Sequence, residues 1–264
     1  MSELIKSIIL GIIQGLTEFL PVSSSGHLEL AKHFLGTNFV GTESLTMSVI
    51  LHIATALSTV FVFRKEIWDL LKGIFAKSWN DEKEFAIKIL ISMIPAGLIG
   101  YLLESRLEKL FEGKVVFVAF MLIITGLLLL FSDYVKNKSR DINYKDSFII
   151  GIAQAVALLP GISRSGSTIS TSLLLGIKKE KAAFFSFIMV IPLIFGKMAK
   201  DIIDGVYVHS DIAASSMIAG GISAFVVGVF ACKWMVVLVK NSKLRYFAYY
   251  CFSVALISLI IFLF

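Results

Sequence analysis

"GIIQGLTEFLPVSSSGH", residues 11–27, and "GIAQAVALLPGISRSGS", residues 151–167, are two copies of one pattern. Without gaps, Gly11 and Gly151, Ile12 and Ile152, Gln14 and Gln154, Ser23 and Ser163, Ser25 and Ser165, and Gly26 and Gly166 coincide. Leu35-Gly36 also falls on Leu175-Gly176. The agreement lies in glycine and polar positions, where chance matches between apolar helices are least expected, so it reads as an internal repeat. In each copy a short apolar stretch, about 4–20 or 147–160, runs into a polar, Gly/Pro-containing break. Another short apolar piece follows and ends near Leu35 or Leu175. A helix, a break at bilayer depth and a second short helix describe a re-entrant hairpin. Irregular backbone at that depth is tolerated only where protein or a wet cavity surrounds it.

Working outward, the chain of 264 residues is 57% hydrophobic and 17% charged, with mean hydropathy +0.86. A soluble domain would carry about a quarter charged residues. Six apolar spans long enough to cross a bilayer fall at about 45–63, 85–103, 114–132, 181–199, 212–232 and 245–263. The expected fold is an all-α polytopic membrane protein with six transmembrane helices and two re-entrant helical hairpins. It forms a single membrane domain over 1–264, built of repeats at about 1–135 and 140–264. Each copy holds one hairpin and three spans. A hairpin returns to its own side and three crossings reverse direction, so the copies are inverted, as in transporters.

Loop charge sets the orientation. One side carries Arg64, Lys65, Lys72, Lys77, Lys83, Lys136, Lys138, Arg140, Lys145, Lys178, Lys179, Lys181, Lys233, Lys240, Lys243 and Arg245. The other carries Lys6, Lys32, Arg106, Lys109, Lys114, Lys197 and Lys200. The richer side is expected in the cytoplasm, with both termini outside. The net charge of +6 then needs no nucleic-acid partner. No removable leader is expected, because the N-terminus lacks a basic segment and a cleavage site. Cys232 and Cys251 have no metal-like spacing and are expected to pack. "KEIWDLLKGIFAKSW", residues 65–79, suits either a helix on the membrane surface or a solvated loop.

The breaks hold the chemistry. Glu18 lies four residues after Gln14, so both share a helix face. Pro21 is expected to end that helix. Ser23, Ser24 and Ser25 suit the cap of the next helix, with Gly26 allowing close approach and His27 on its first turn. In the second copy Pro160-Gly161 stops the helix and Ser163-Arg164-Ser165-Gly166 opens the next, with Thr168 one turn on. Two helix N-termini then converge on the midplane, and their free N–H groups suit an anion. Arg164 adds a fork that matches phosphate oxygens, and the density of donors favours phosphate or pyrophosphate over a carboxylate.

An anion site alone does not need Glu18, which makes sense if a proton must move or a metal must bind. His27 can serve as base, acid or nucleophile. Together these residues indicate phosphoryl-transfer hydrolysis within the membrane. Structural readings stand beside this one. Serines in membrane helices bond their own backbone, Glu18 could snorkel, and Arg164 could be a structural ion-pair partner. Ionisable groups at bilayer depth cost about 2.5–3.5 kcal/mol on insertion scales, which favours function. His52, inside "MSVILHIATALSTVF" (47–61), lines the cavity or bonds structurally. His33 and His209 are expected at the interface or exposed. Pro95 and Pro192 kink their spans. Gly220-Gly221 and Gly228 favour close packing within the chain or between subunits.

"QGLTEFLPVSSSGH" and "PGISRSGST" resemble the two signature motifs of the undecaprenyl-pyrophosphate phosphatases, the bacitracin-resistance membrane proteins of bacteria. The first motif, Glu or Gln, three residues, then Glu, falls on Gln14 and Glu18. The second, Pro-Gly-x-Ser-Arg-Ser-x-x-Thr, falls on Pro160, Gly161, Ser163, Arg164, Ser165 and Thr168. The resemblance spans essentially the whole chain. It implies an enzyme that removes the terminal phosphate of a C55 lipid pyrophosphate, regenerating the carrier for cell-wall synthesis. It also implies residence in the bacterial inner membrane, a site opening to the extracytoplasmic side, and a homodimer. By position Glu18, Ser24, His27 and Arg164 match the catalytic residues, with Glu18 a candidate ligand for a divalent cation (Mg or Ca). Gln14, Ser23, Ser25, Gly26, Gly161, Ser163, Ser165, Gly166 and Thr168 would surround the phosphates. Gln14 stands where many members carry glutamate, and it can be neither acid nor anionic ligand. The nucleophile is Ser24, His27 or water, with His27 expected to activate Ser24 or a water. The rival reading is a transporter or flippase of a phosphorylated lipid or anion.

Overall fold

The computed structural model describes residues 1–36, 42–103, 106–107, 110, 114–135, 140–203, 212–241 and 244–263. His209, Lys109, Lys136, Lys138 and Lys243 lie outside them. Among these residues the chain is built of eleven helices: α1 (Glu3–Thr17), α2 (Ser24–Phe34), α3 (Thr42–Val62), α4 (Arg64–Ile74), α5 (Asp81–Leu102), α6 (Val115–Tyr134), α7 (Tyr144–Val156), α8 (Arg164–Leu174), α9 (Lys179–Ile203), α10 (Ala214–Asn241) and α11 (Arg245–Leu263).

Five helices, within α5, α6, α9, α10 and α11, are long and apolar enough to cross a membrane. The run Thr46–Val62 reaches that standard only together with α4, from which it is bent by 80°. α5 and α9 pass through Pro95 and Pro192 without interruption. α4 has no buried residue, and it leaves Trp68 exposed beside Lys72, whose ammonium lies 5.3 Å from the indole ring. The sequence 65–79 is therefore helical over most of its length and stops at Ile74.

α1 and α7 are too short to cross. At 15 and 13 residues and 1.5 Å per residue they reach about 22 and 20 Å, against a hydrocarbon core of about 30 Å. Each pairs with a helix of 11 residues. The ends of each pair meet. Lys6, near the start of α1, donates to the carbonyl of Gly36 beyond α2 (2.6 Å). Arg140, ahead of α7, donates to the carbonyl of Leu175 at the end of α8 (2.9 Å) and pairs with Asp146 of α7. A cation on the last carbonyls of a helix satisfies groups that the helix itself cannot.

α1 packs against α10, and α7 against α5. The aligned glycines set both contacts. A Cβ on Gly11 would clash with Ser223 and the carbonyl of Gly220, and one on Gly151 with the carbonyl of Ser92. Gly220 therefore serves contacts inside the chain. α3 meets α9, and α6 meets α11. The largest apolar core lies beneath the two breaks, with Phe19 edge-on to Phe187 at 5.8 Å. Cys232 and Cys251 are buried and free in that core.

Candidate active site

The first helix does not run to Pro21. α1 ends at Thr17, Glu18 caps it, and residues 18–22 form the turn. The Leu20 amide still donates to the Leu16 carbonyl (3.4 Å), and Pro21 has no N–H to carry the ladder on. The carboxylate of Glu18 meanwhile takes up donors from three other positions. α2 begins at Ser24, with the Ser23 hydroxyl accepting from the Gly26 amide (3.2 Å). In the second copy the Ser163 hydroxyl accepts from the Gly166 amide (3.0 Å), and Arg164 opens α8. Ser23 sits at φ 71°, the only non-glycine with positive φ among the described residues. A strained backbone of this kind costs about 1–3 kcal/mol and tends to occur where function needs it.

The breaks touch each other. The Ser165 hydroxyl donates to the carbonyl of Leu20 (3.3 Å). A Cβ on Gly26 would lie 3.3 Å from the Cα of Gly161. Across this seam Arg164 Nη2 donates to Glu18 Oε1 (2.6 Å), and Arg164 Nη1 donates to the carbonyl of Ser186 (3.1 Å). Ser24 Oγ donates to Glu18 Oε2 at 2.7 Å, and Gln14 Nε2 donates to the same oxygen at 3.0 Å. Both Glu18 and Arg164 are largely buried, with side chains 8% and 16% exposed. Breaking such a pair from one side costs about 3–5 kcal/mol, because it strands the other charge.

A cavity of about 680 Å³ opens over this cluster. Glu18, Ser24, Ser25, Ser163, Arg164 and Ser165 line its polar part, while Met93, Ala96, Gly97, Leu158 and Leu193 line an apolar part. Both N-termini reach it. The Gly26 and Gly166 amides are taken by the capping hydroxyls, while those of Ser24, Ser25, Arg164 and Ser165, the first two positions of α2 and α8, have no intrahelical acceptor and suit an anion.

Several expected site residues stand behind the wall. Gln14, Ser23, Gly26, Gly161, Gly166 and Thr168 do not line the cavity. Thr168 is fully buried and donates to the carbonyl of its own Arg164 (2.9 Å), 2.6 Å from the Ser186 hydroxyl. Its hydroxyl thus lies between the first turn of α8 and Ser186 of α9. His27 also departs from expectation. Nδ1 donates to the Ser23 carbonyl (2.8 Å), and Nε2 accepts from the Tyr250 hydroxyl (2.9 Å). The ring stacks on Tyr250, 5.6 Å between centroids. With both nitrogens engaged and the ring outside the cavity wall, His27 does not reach Ser24.

The imidazole at the cluster is His52 of α3. Its Nδ1 donates to the Ser48 carbonyl (2.7 Å), which leaves Nε2 facing Glu18 Oε2 at 3.7 Å. Further along the same cavity lie Glu29, Lys32, Lys197 and Lys200, and Lys32 donates to Glu29, Ser44 and Ser48. None of these four had a sequence signal beyond its charge.

Among the described residues no three His, Cys, Asp or Glu side chains gather to hold a metal. Magnesium is commonly held by one or two carboxylates together with substrate phosphates. Glu18 and the Ser24 hydroxyl fit that description for a cation arriving on a pyrophosphate, and not a closed protein cage.

A family model described as "Bacitracin resistance protein BacA" matches residues 7–257. An undecaprenyl-diphosphatase of Christiangramia forsetii is 55% identical over 258 residues, covering 98% of each chain. One of Bacteroides thetaiotaomicron is 49% identical over 251 residues, 94% of each chain. One of Methanococcus vannielii is 41% identical over 260 residues, 95% of this chain and 97% of its own.

Proposed function

The chain belongs to the bacitracin resistance protein BacA family, and from that premise we propose a multi-pass membrane hydrolase acting on undecaprenyl pyrophosphate. It removes the terminal phosphate and returns the undecaprenyl phosphate carrier to cell-wall synthesis. The observation that carries the reading is the contact of Ser24, Glu18 and Arg164 across the two breaks, at the polar end of a cavity whose other wall is apolar. A lipid pyrophosphate needs both walls. The transporter or flippase reading draws no support from the relatives' names. Release of phosphate from undecaprenyl pyrophosphate by purified protein in detergent, where no gradient exists, is the test. No release would overturn the reading.

The proposed reaction uses Ser24 as nucleophile. As the pyrophosphate enters, the Arg164 fork turns from Glu18 to the terminal phosphate oxygens, and the first-turn amides with Ser25 and Ser165 complete the cradle. Glu18, its Oε1 freed of the ion pair, takes the Ser24 hydroxyl proton on Oε2. Ser24 Oγ bonds to the terminal phosphorus, and the bond from that phosphorus to the bridging oxygen breaks. The bridging oxygen leaves on the lipid monophosphate. Glu18 passes the Ser24 proton through His52 to the cavity and then takes one from water; the hydroxide attacks the phosphorus, the bond from it to Ser24 Oγ breaks, and the proton returns to Ser24 Oγ as inorganic phosphate is freed. Glu18 and Ser24 would hold a divalent cation carried by the pyrophosphate, which would neutralise phosphate charge.

The inverted repeat is part of this proposal. Its support is the shared register of the breaks, the closed ends of both short helix pairs, and the reciprocal packing of α1 on α10 and α7 on α5. Two hairpins would then enter from opposite faces. Lys32, Lys197 and Lys200 on the cavity wall belong to the face poorer in cations, so the opening is proposed to lie outside the cytoplasm of the bacterial inner membrane. The homodimer is proposed from the family resemblance alone.

His52 is assigned the relay that carries the proton between Glu18 and the cavity. His52→Gln keeps a polar group there but cannot carry a proton. Its kcat is expected to fall about a hundredfold with KM little changed; full kcat would remove His52 from the path. His27 is a positioning residue that holds the Ser23 carbonyl in its strained turn and so places Ser24. His27→Phe keeps the stack on Tyr250 and loses the Nδ1 bond. It is expected to lower kcat about tenfold at constant KM, and the pH profile should keep its wild-type shape, since His27 carries no proton in the reaction.

A further inference from the structure

Gln154 of α7 is the copy of Gln14. Gln14 bonds Glu18, but the residue matching Glu18 in the second copy is Leu158, so Gln154 has no carboxylate to meet. Its side chain is 2% exposed, it lines the cavity, and neither Oε1 nor Nε2 has a hydrogen-bond partner. A buried amide without a partner is uncommon and destabilising. Here the side chain borders a ligand cavity, and although its amide is closed to that cavity as it lies, a turn of the side chain offers the amide to a ligand.

The surroundings identify which part of the ligand. Leu158, Met93 and Gly97 share this cavity, and a Cβ on Gly97 would meet nothing within 4 Å, so the wall is open there. The repeat matches Arg164 with Ser24 and Glu18 with Leu158. Ser24, Leu158 and Gln154 line the same cavity, with Leu158 four residues after Gln154. Gln154 thus stands where the hydroxyl-lined end gives way to apolar wall. A polyprenyl pyrophosphate changes character at the same place, at the inner phosphate that joins the chain. We propose that the Gln154 amide donates to the inner phosphate, the one retained on the lipid. The terminal phosphate stays with Arg164 and Ser24. The inference rests on the function proposed above and adds a specificity residue to it.

The two products separate the two phosphate positions. A prenyl monophosphate, such as undecaprenyl phosphate, carries only the inner phosphate, and inorganic phosphate represents only the outer. For the full chain in detergent, Gln154→Leu is expected to raise the inhibition constant of the prenyl monophosphate about tenfold, the size of one hydrogen bond to a charged group. Inhibition by inorganic phosphate stays at the wild-type value, and the thermal midpoint does not fall, because an unbonded amide has been removed. Gln154→Met, of similar volume and greater flexibility, gives the same pattern if the leucine variant folds poorly. Unchanged inhibition by the monophosphate, or equal weakening by both products, overturns the assignment. In that case phosphate release by wild type still upholds the hydrolase reading. A wild type that releases none removes both.

Discussion

Arg164→Lys is expected to lower kcat on undecaprenyl pyrophosphate about a thousandfold while leaving a folded protein. A lysine keeps the positive charge, so Glu18 retains a counter-ion. It loses the planar fork, which can hold two phosphate oxygens at once and spread its charge over them as the terminal phosphoryl group moves. Arginines in that role contribute about 10³–10⁵ to phosphoryl transfer. Arg164→Ala does more than remove catalysis, since Glu18 is 8% exposed and would be left buried with no cation. About 3–5 kcal/mol of stability should go with it. Adding Glu18→Gln to that variant removes the stranded charge and should restore the thermal midpoint without restoring turnover. A purely structural pair predicts the opposite for the lysine variant, namely near-normal kcat. Measuring kcat and the thermal midpoint on all three variants decides between the two.

The double variant also shows how far the sequence was legible. Glu18 and Arg164 were readable because the repeat placed each beside a helix-breaking proline, and ionisable groups at that depth stand out against an apolar chain. The starts of α2 and α8 were readable because Ser23 and Ser163 are cap residues whose hydroxyls have one local use. Local rules failed where a distant element decided the outcome. His27 is held away from Ser24 by Tyr250, 223 positions later, whose hydroxyl donates to its other nitrogen. His52 reaches Glu18 because of how α3 packs, and no periodicity within α3 encodes that. Thr168 looked like a phosphate ligand by motif position, but a threonine inside a helix can bond the carbonyl four residues back, and this one does. The helices were legible one by one. The direction each polar side chain takes depended on contacts between helices.

Ser24→Ala is expected to lower kcat by at least about 10³, and it tests the order of events as well as the residue. The Ser24 hydroxyl already donates to Glu18 Oε2 at 2.7 Å, the contact through which a proton would pass as the oxygen attacks. If Ser24 is the nucleophile, the alanine variant has no covalent path, and rapid quenching of wild type with radiolabelled terminal phosphate traps label on the protein. The alanine variant traps none. Glu18→Gln alone should lose a comparable factor, and the double variant Glu18→Gln, Ser24→Ala should lose little more than either single one, because the pair acts as a unit. Direct attack by water gives a different set of results. Label would never appear on the protein, Ser24→Ala would retain most of its turnover, and the double variant would fall only to the level of Glu18→Gln alone. That outcome would leave Glu18 as the base for water and reduce Ser24 to a donor that orients its carboxylate.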